Sequence, residues 1–283
     1  MIVVTGASGQ LGRLVIEALL KKLPAGEIVA AVRDPEKVAD LAARGVQIRP
    51  ADYDQPASLV AAFKGADKLL LISANEIGRR VPQHRAVIDA AKTAGVGLLA
   101  YTSILHADMS PLPLAAEHNE TESLIRASSL PAVILRNGWY TENYLAGIPA
   151  ALQYGVLLGS AGEGKIASAA RADYAEAAAA VLTQDNQAGR IYELAGDEAY
   201  TLGELANEIA KQSGKPVAYQ NLPESEFKAA LLGAGLPDGL ATLLAESDVG
   251  ASKGGLFDDS RQLSLLIGRP TTTLVELVKL ALA

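Results

Sequence analysis

The side chains best suited to moving a proton near neutral pH in this 283-residue chain are three histidines, because cysteine is absent and the nine tyrosines are weak acids. Spacing decides what they can do. A tyrosine followed four residues later by lysine forms a proton-relay pair, in which the cation lowers the phenol's pKa so that it can protonate a carbonyl oxygen. None of the nine tyrosines has that lysine. His84, His106 and His118 lack both cysteine partners and H-x-x-x-H spacing, so no metal site is expected. His84 and His106 fall nearest the expected ligand cleft and are the two candidate proton donors.

A second pattern concerns anions. The apolar run Ile2-Val3-Val4 leads into TGASGQLG, Thr5 to Gly12, and then into RLVIEALLKK, which has helical period. A glycine turn between a buried strand and a helix leaves backbone N–H groups unpaired at the positive end of the helix dipole, which suits a pyrophosphate. Gly6 makes the sharp turn, Gly9 admits the phosphates and Gly12 lets the helix pack on the sheet. The spacing is G-x-x-G-x-x-G rather than G-x-G-x-x-G. Gly6, Ala7, Ser8, Gly9, Gln10 and Leu11 are the expected dinucleotide contacts.

The end of the second strand, AAVRDP, selects the dinucleotide. A carboxylate there grips the ribose hydroxyls of NAD, whereas an arginine accommodates the 2′-phosphate of NADP. Arg33 stands at that place and predicts NADP. Asp34, before Pro35, reads as a helix N-cap. Asp52, in PADYD, reads as a turn residue that is also within reach of the adenine. ISANE (72–76) ends the fourth strand at the carboxyl edge where open α/β sheets bind ligands, which makes Ser73 and Asn75 cofactor contacts.

The elements that must position these residues follow from periodicity. IVVT (2–5), EIVAAV (27–32), VQIRPA (46–51), KLLLIS (68–73), GLLAYTS (97–103) and AVILR (132–136) read as strands buried on both faces. Between them lie helical patterns at 10–22, 35–43, 56–64, 80–94 and 115–128. Strands alternating with helices imply an α/β doubly wound parallel sheet of Rossmann type. We expect residues 1–145 to form this NADP-binding domain, with later segments returning to it, and 146–283 a smaller, mostly helical substrate region. That region should hold helices at 173–182, 201–212, 224–234 and 237–246, a strand at 191–195, and an exposed loop at 248–259.

Composition excludes other classes. A formal charge of −7 argues against a nucleic-acid binder, which needs clustered Lys and Arg. No run reaches the roughly 18 apolar residues of a membrane helix, and no leader pattern opens the chain. With no cysteine, a soluble cytoplasmic protein is expected, with a homodimer allowed.

TGASGQLG, AVRDPEK, ADYD, YTS, RNGWYTENYL and VGASKGGLFDDS together resemble the atypical short-chain dehydrogenase/reductases of the NmrA-like group, over essentially the whole chain. The last two segments are the specific ones. The resemblance implies NADPH as cofactor, a quinone or similar conjugated acceptor as substrate, and cofactor contacts from Gly138, Trp139, Tyr140, Thr141, Glu142 and Asn143. Trp139 either stacks on substrate or joins the two regions, and Arg171 either pairs with an anion or caps a helix. Counting back from ASSLP, His118 occupies the place where related proteins carry the relay lysine, and Leu114 that of the tyrosine. Without an acid, an electron-poor acceptor is the fitting substrate: a reduced quinone is a phenoxide of pKa about 10, which solvent can protonate. A ketone would leave a far more basic alkoxide. Triphenylmethane dyes obey the same logic, and a non-catalytic NADP-binding redox sensor of the NmrA type is the alternative from another class.

Overall fold

The computed structural model describes residues 1–76 and 78–283. In chain order the elements are β1 (Ile2–Thr5), α1 (Gln10–Leu20), β2 (Ile28–Val32), α2 (Ala39–Ala43), β3 (Gln47–Pro50), α3 (Pro56–Ala62), β4 (Lys68–Leu71), α4 (Arg80–Ala94), β5 (Leu98–Ile104), α5 (Ala115–Ser128) and β6 (Ala132–Asn137). They continue as α6 (Thr141–Leu145), α7 (Ile148–Tyr154), β7 (Val156–Gly159), α8 (Arg171–Thr183), β8 (Ile191–Leu194), α9 (Leu202–Ser213), β9 (Ala218–Asn221), α10 (Glu224–Gly233), α11 (Asp238–Ser252), α12 (Gln262–Ile267) and α13 (Leu274–Leu282). The chain divides into two compact units. The first comprises residues 1–107, 116–137 and 171–192, and the second 108–115, 138–170 and 193–283.

The first unit is built on the sheet β3-β2-β1-β4-β5-β6-β8. Its pairs from β3 to β6 are parallel, so the carboxyl ends of these six strands lie along one edge. Alternation sends Val3, Val29, Leu69, Leu99 and Ile134 to one face, where Leu59, Val87, Ile88 and Ile125 of α3, α4 and α5, with Phe63 at the end of α3, cover them. On α1, Leu11, Val15, Ile16 and Leu19 form the buried stripe of an amphipathic helix, which packs beside α8. The doubly wound α/β architecture expected from the periodicity is therefore present. One strand departs from expectation: β3 is exposed or half-buried along its length, not buried on both faces, because it is the edge of the sheet.

The second unit holds a two-stranded parallel sheet, β7 with β9, and helices packed as α10 on α11 and α9 on α13. Reciprocal bonds between Thr201 and Glu204 cap α9, and Thr273 with Glu276 caps α13 in the same way. The expected loop at 248–259 is corrected here. Helix α11 runs on to Ser252, and Asp248, Gly250 and Ala251 are buried in it. Gly250 serves packing rather than chain reversal: a Cβ there would lie 2.6 Å from Leu112 Cδ2.

Gly12 sets how closely α1 approaches β1. A Cβ at this position would lie 2.4 Å from the Gly6 carbonyl oxygen and 2.7 Å from Ala7 Cα, both rigid backbone atoms. Gly12→Ala should therefore destabilise the fold by about 1–3 kcal/mol, the cost of overpacking, despite alanine's better helix propensity. Urea unfolding should show a lower midpoint at unchanged slope.

Candidate functional site

The turn between β1 and α1 presents backbone and little else. Gly6 sits at φ +60°, a left-handed conformation natural to glycine, and its carbonyl accepts the Gly9 N–H at 2.9 Å. Gly9 is the N-cap of α1 and supplies no side-chain cap. The side chains of Ala7 and Leu11 point into the core, while Gly6, Gly9 and Gln10 are exposed and Ser8 half-buried. The first-turn N–H groups of α1 thus lack the side-chain oxygen that usually satisfies them. This is the donor set an anion requires, and it fits a dinucleotide pyrophosphate.

The register pairs Thr5 of β1 with Ala31 of β2, so Arg33 emerges from β2 at the same sheet edge as the glycine turn. Its side chain is 65% exposed and its Nη1 lies 3.3 Å from Glu76 Oε1. Asp34 accepts the Glu36 N–H at 3.1 Å and caps the short turn Pro35–Val38, as its position before proline suggests. Asp52 acts as a turn residue, accepting the Asp54 N–H at 3.0 Å and Gln55 Nε2 at 3.2 Å.

The segment after β4 is held by groups with no periodic signature in the sequence. Thr5 Oγ1 donates to Leu70 O at 3.0 Å and accepts both the Ile72 N–H at 3.1 Å and the Tyr53 hydroxyl at 2.6 Å. Ser73 N–H donates to Thr102 Oγ1 at 2.9 Å, so Ser73 is fixed through its backbone. The Ala74 N–H donates to His84 Nε2 at 2.9 Å, and the Ala74 carbonyl accepts from Arg80 Nε at 2.8 Å. Asn75, next along, is exposed. Arg80 in turn pairs with Glu117 at 2.8 Å, and Glu117 also accepts the Gly78 N–H at 2.9 Å.

His84 is therefore not placed to act as a proton donor. It is fully buried, its Nε2 accepts from backbone, and its Nδ1 lies 3.0 Å from Thr121 Oγ1. Thr121 gives its own proton to the Glu117 carbonyl at 2.8 Å, so Nδ1 carries the hydrogen and the ring is neutral. Burial, with the Arg80 charge beside it, pushes the imidazole down to about 3. His118 is also buried, 2.7 Å from the Tyr101 hydroxyl, and burial holds it well below the ordinary histidine range. The position that resembles the relay lysine thus carries no charge. Burial also raises the Tyr53 and Tyr101 phenols above their usual value. His106 is half-buried in the turn after β5, at φ +52°.

Beneath the ends of β5 and β6 lies a buried ion pair absent from the expectations. Glu122, with no exposed surface, accepts Arg136 Nε and Nη2 at 2.9 Å each and Ser103 Oγ at 2.6 Å.

Within the second unit, Gly138 donates to Leu194 O at 2.7 Å. Trp139 O accepts the Ala169 N–H at 3.2 Å, and Thr141 N–H returns to Ala169 O at 3.0 Å. The Thr141 hydroxyl is buried in a chain with Ser168 at 2.7 Å and Tyr200 at 2.5 Å, so its side chain is structural. Trp139, Tyr140 and Glu142 are half-buried and Asn143 is exposed. One turn on, Tyr144 donates to Asp248 Oδ1 at 3.4 Å, and Asp248 Oδ2 accepts the Ser160 N–H at 2.9 Å. Burial pushes the Asp248 carboxyl up to about 6.

The His84 geometry has a measurable consequence. Its native pKa lies below the unfolded value of 6.5, so the unfolded chain binds more protons between the two, and the contribution of neutral His84 is lost as pH falls from about 6.5 towards 3. Between pH 7.5 and 5 this loss should be about 2 kcal/mol for His84. Urea unfolding at both pH values should show a correspondingly smaller pH dependence for His84→Leu than for the parent chain.

The chain resembles known proteins over its whole length. Residues 1–274 match the model of the NmrA-like family. Quinone oxidoreductase 2 of Escherichia coli (strain K12) is 62% identical over 278 residues, covering 98% of this chain and 97% of that protein. A crystal structure of the E. coli NADPH-dependent quinone oxidoreductase complexed with NADPH aligns with a TM-score of 0.98 at 61% identity, covering 100% of both chains. Citrobacter sp. triphenylmethane reductase complexed with NADP(H) aligns with a TM-score of 0.96 at 42% identity, covering 99% of this chain and 100% of the other. The NAD(P)H azoreductase of Xenophilus azovorans is 31% identical over 281 residues, covering 99% of this chain and 97% of that protein. In sequence and in fold alike, the chain belongs to the NmrA-like family.

Proposed function

We propose that this chain is an NADPH-dependent reductase of quinones and similar electron-poor conjugated acceptors. The observation that carries the reading is the bare glycine turn, on a chain alike over its whole length to a quinone oxidoreductase solved with NADPH. When bound, NADPH supplies the hydride. The chain's own residues bind and orient. The backbone of Gly6 to Leu11 would take the pyrophosphate, and Arg33 the 2′-phosphate through charge-assisted bonds. Ser73 and Asn75 on the segment after β4, and the loop Gly138 to Asn143, would complete the cofactor contacts.

The buried residues hold protons rather than move them. His84 and His118 are neutral, and Tyr53 and Tyr101 are weaker acids than free tyrosine. A reduced quinone, with a phenolic pKa of about 10, can take its proton from water, whereas an alkoxide product calls for a positioned acid. This favours conjugated acceptors over simple ketones. The likeness to triphenylmethane reductase supports cationic dyes as a second acceptor class by the same reasoning. Acidic charge and the absence of cysteine support a cytoplasmic setting and a small-molecule partner rather than nucleic acid.

The deciding experiment follows NADPH absorbance with 1,4-benzoquinone and the purified chain. Protein-dependent loss is expected; none across several quinones would leave the non-catalytic sensor as the better reading. Replacing Arg33 with Ala should weaken NADPH binding by about 1.5–3 kcal/mol while NADH binding stays nearly unchanged, as calorimetry with both nucleotides would show. Gly9→Val should abolish NADPH binding yet retain a cooperative thermal melt. Gly9 is exposed, and the hindrance its side chain would meet is the Gly6 carbonyl oxygen at 3.2 Å, much less severe than at Gly12.

A further inference from the structure

Arg33 is not an idle cation. Its Nη1 lies 3.3 Å from Glu76 Oε1, while Glu76 Oε2 lies 3.3 Å from Arg79 Nη1, and Arg79 Nη2 reaches Asp54 Oδ1 at 2.9 Å. The four side chains form a surface chain of alternating sign. Glu76 sits between two guanidinium groups and uses a different oxygen on each. Among the described residues Arg33 has no other carboxylate partner, whereas Arg79 has two.

A nucleotide 2′-phosphate brought to Arg33 would place a dianion beside a carboxylate on one guanidinium, and like charges so placed repel. Glu76 has an alternative partner already in place. Released from Arg33 it still keeps Arg79 as a cation partner, so the Arg33 pair is exchangeable. It is also weak, because Arg33 is 65% exposed and water screens the attraction. A ribose 2′-hydroxyl brings no charge and leaves the pair undisturbed. It could moreover donate to the Glu76 carboxylate, the contact by which an acidic residue at this edge favours NAD.

From this arrangement we infer that Glu76 is a specificity-determining residue that competes with the 2′-phosphate for Arg33 and narrows the preference for NADPH over NADH. The inference rests on the reading of Arg33 as the 2′-phosphate contact. Its action is electrostatic. Glu76 opposes phosphate binding in proportion to its charge and fades as salt is added, because the pair is exposed.

Binding of the adenosine halves tests this without any turnover. Titration calorimetry on the full chain would use 2′,5′-ADP and 5′-AMP, for the parent, Glu76→Gln and Glu76→Ala. Both variants should bind 2′,5′-ADP about three- to tenfold more tightly at low ionic strength, with a smaller gain at about 0.5 M salt. Their affinity for 5′-AMP should stay within about twofold or fall. Unchanged or weaker 2′,5′-ADP binding in both variants would overturn the inference and make Glu76 a residue that orients Arg33 instead. Equal tightening of both nucleotides would overturn it too, since the effect would not then read the phosphate. A parent chain that binds the two nucleotides equally would remove the reading of Arg33 itself, and the inference with it.

Discussion

The closest constraint in the first unit is the contact between Gly12 and the Gly6 carbonyl, where no Cβ fits. It brings the first turn of α1 down onto the end of β1, and the rest of the edge follows from that. Because the helix starts against backbone, its cap is Gly9 and no side chain covers its first amides. Because β2 runs parallel to β1 in the register Thr5 with Ala31, Arg33 leaves the sheet beside this turn. A parallel sheet with one strand end open to a bare helix terminus makes a ligand crevice by construction.

Around that edge the polar groups divide by burial, and burial decides their chemistry. Thr5, Thr102, His84 and Arg80 fix the segment after β4 by bonding its backbone, and they do so from inside the protein. A histidine can accept the Ala74 N–H only while neutral, and desolvation keeps it so. The same desolvation deprives it of a proton to give at neutral pH. Positioning and acid catalysis are therefore exclusive roles for His84, and the fold has assigned it the first. His118, buried beside Tyr101, is likewise kept below the ordinary histidine range by desolvation.

Local features were legible in the sequence, and long-range ones were not. The strands β1, β2, β4, β5 and β6 could be read because burial on both faces leaves continuous apolar runs, and the glycine turn because its whole geometry lies within eight residues. The edge strand β3 lacks such a run: Gln47, Arg49 and Pro50 interrupt it, as suits a strand at the edge of the sheet, so its expected burial failed. Gly250 reads as a loop signal because a glycine that admits Leu112 looks, in one dimension, like a glycine that breaks a helix. The short strands β7 and β9 pair across some sixty residues and carry only four residues each. Thr5 with Ile72, and Glu122 with Arg136, are likewise single contacts between distant elements. A hydroxyl at a strand end and a carboxylate on a helix have no period to betray them. The backbone pairing of Trp139 and Thr141 with Ala169 likewise has no local signature.

Two ion pairs of this unit, Glu122 with Arg136 and Arg33 with Glu76, differ in how readily they exchange partners. Glu122 and Arg136 are buried and bound through two parallel bonds, so separating them would leave a desolvated charge, a cost of several kcal/mol. Such a pair defines the ends of β5 and β6 and stays as it is. Arg33 and Glu76 meet at the surface, where water replaces either partner at little cost and the net attraction is about 0–1 kcal/mol. An exchangeable partner is what the phosphate contact proposed for Arg33 requires, and the surface end of β2 supplies it.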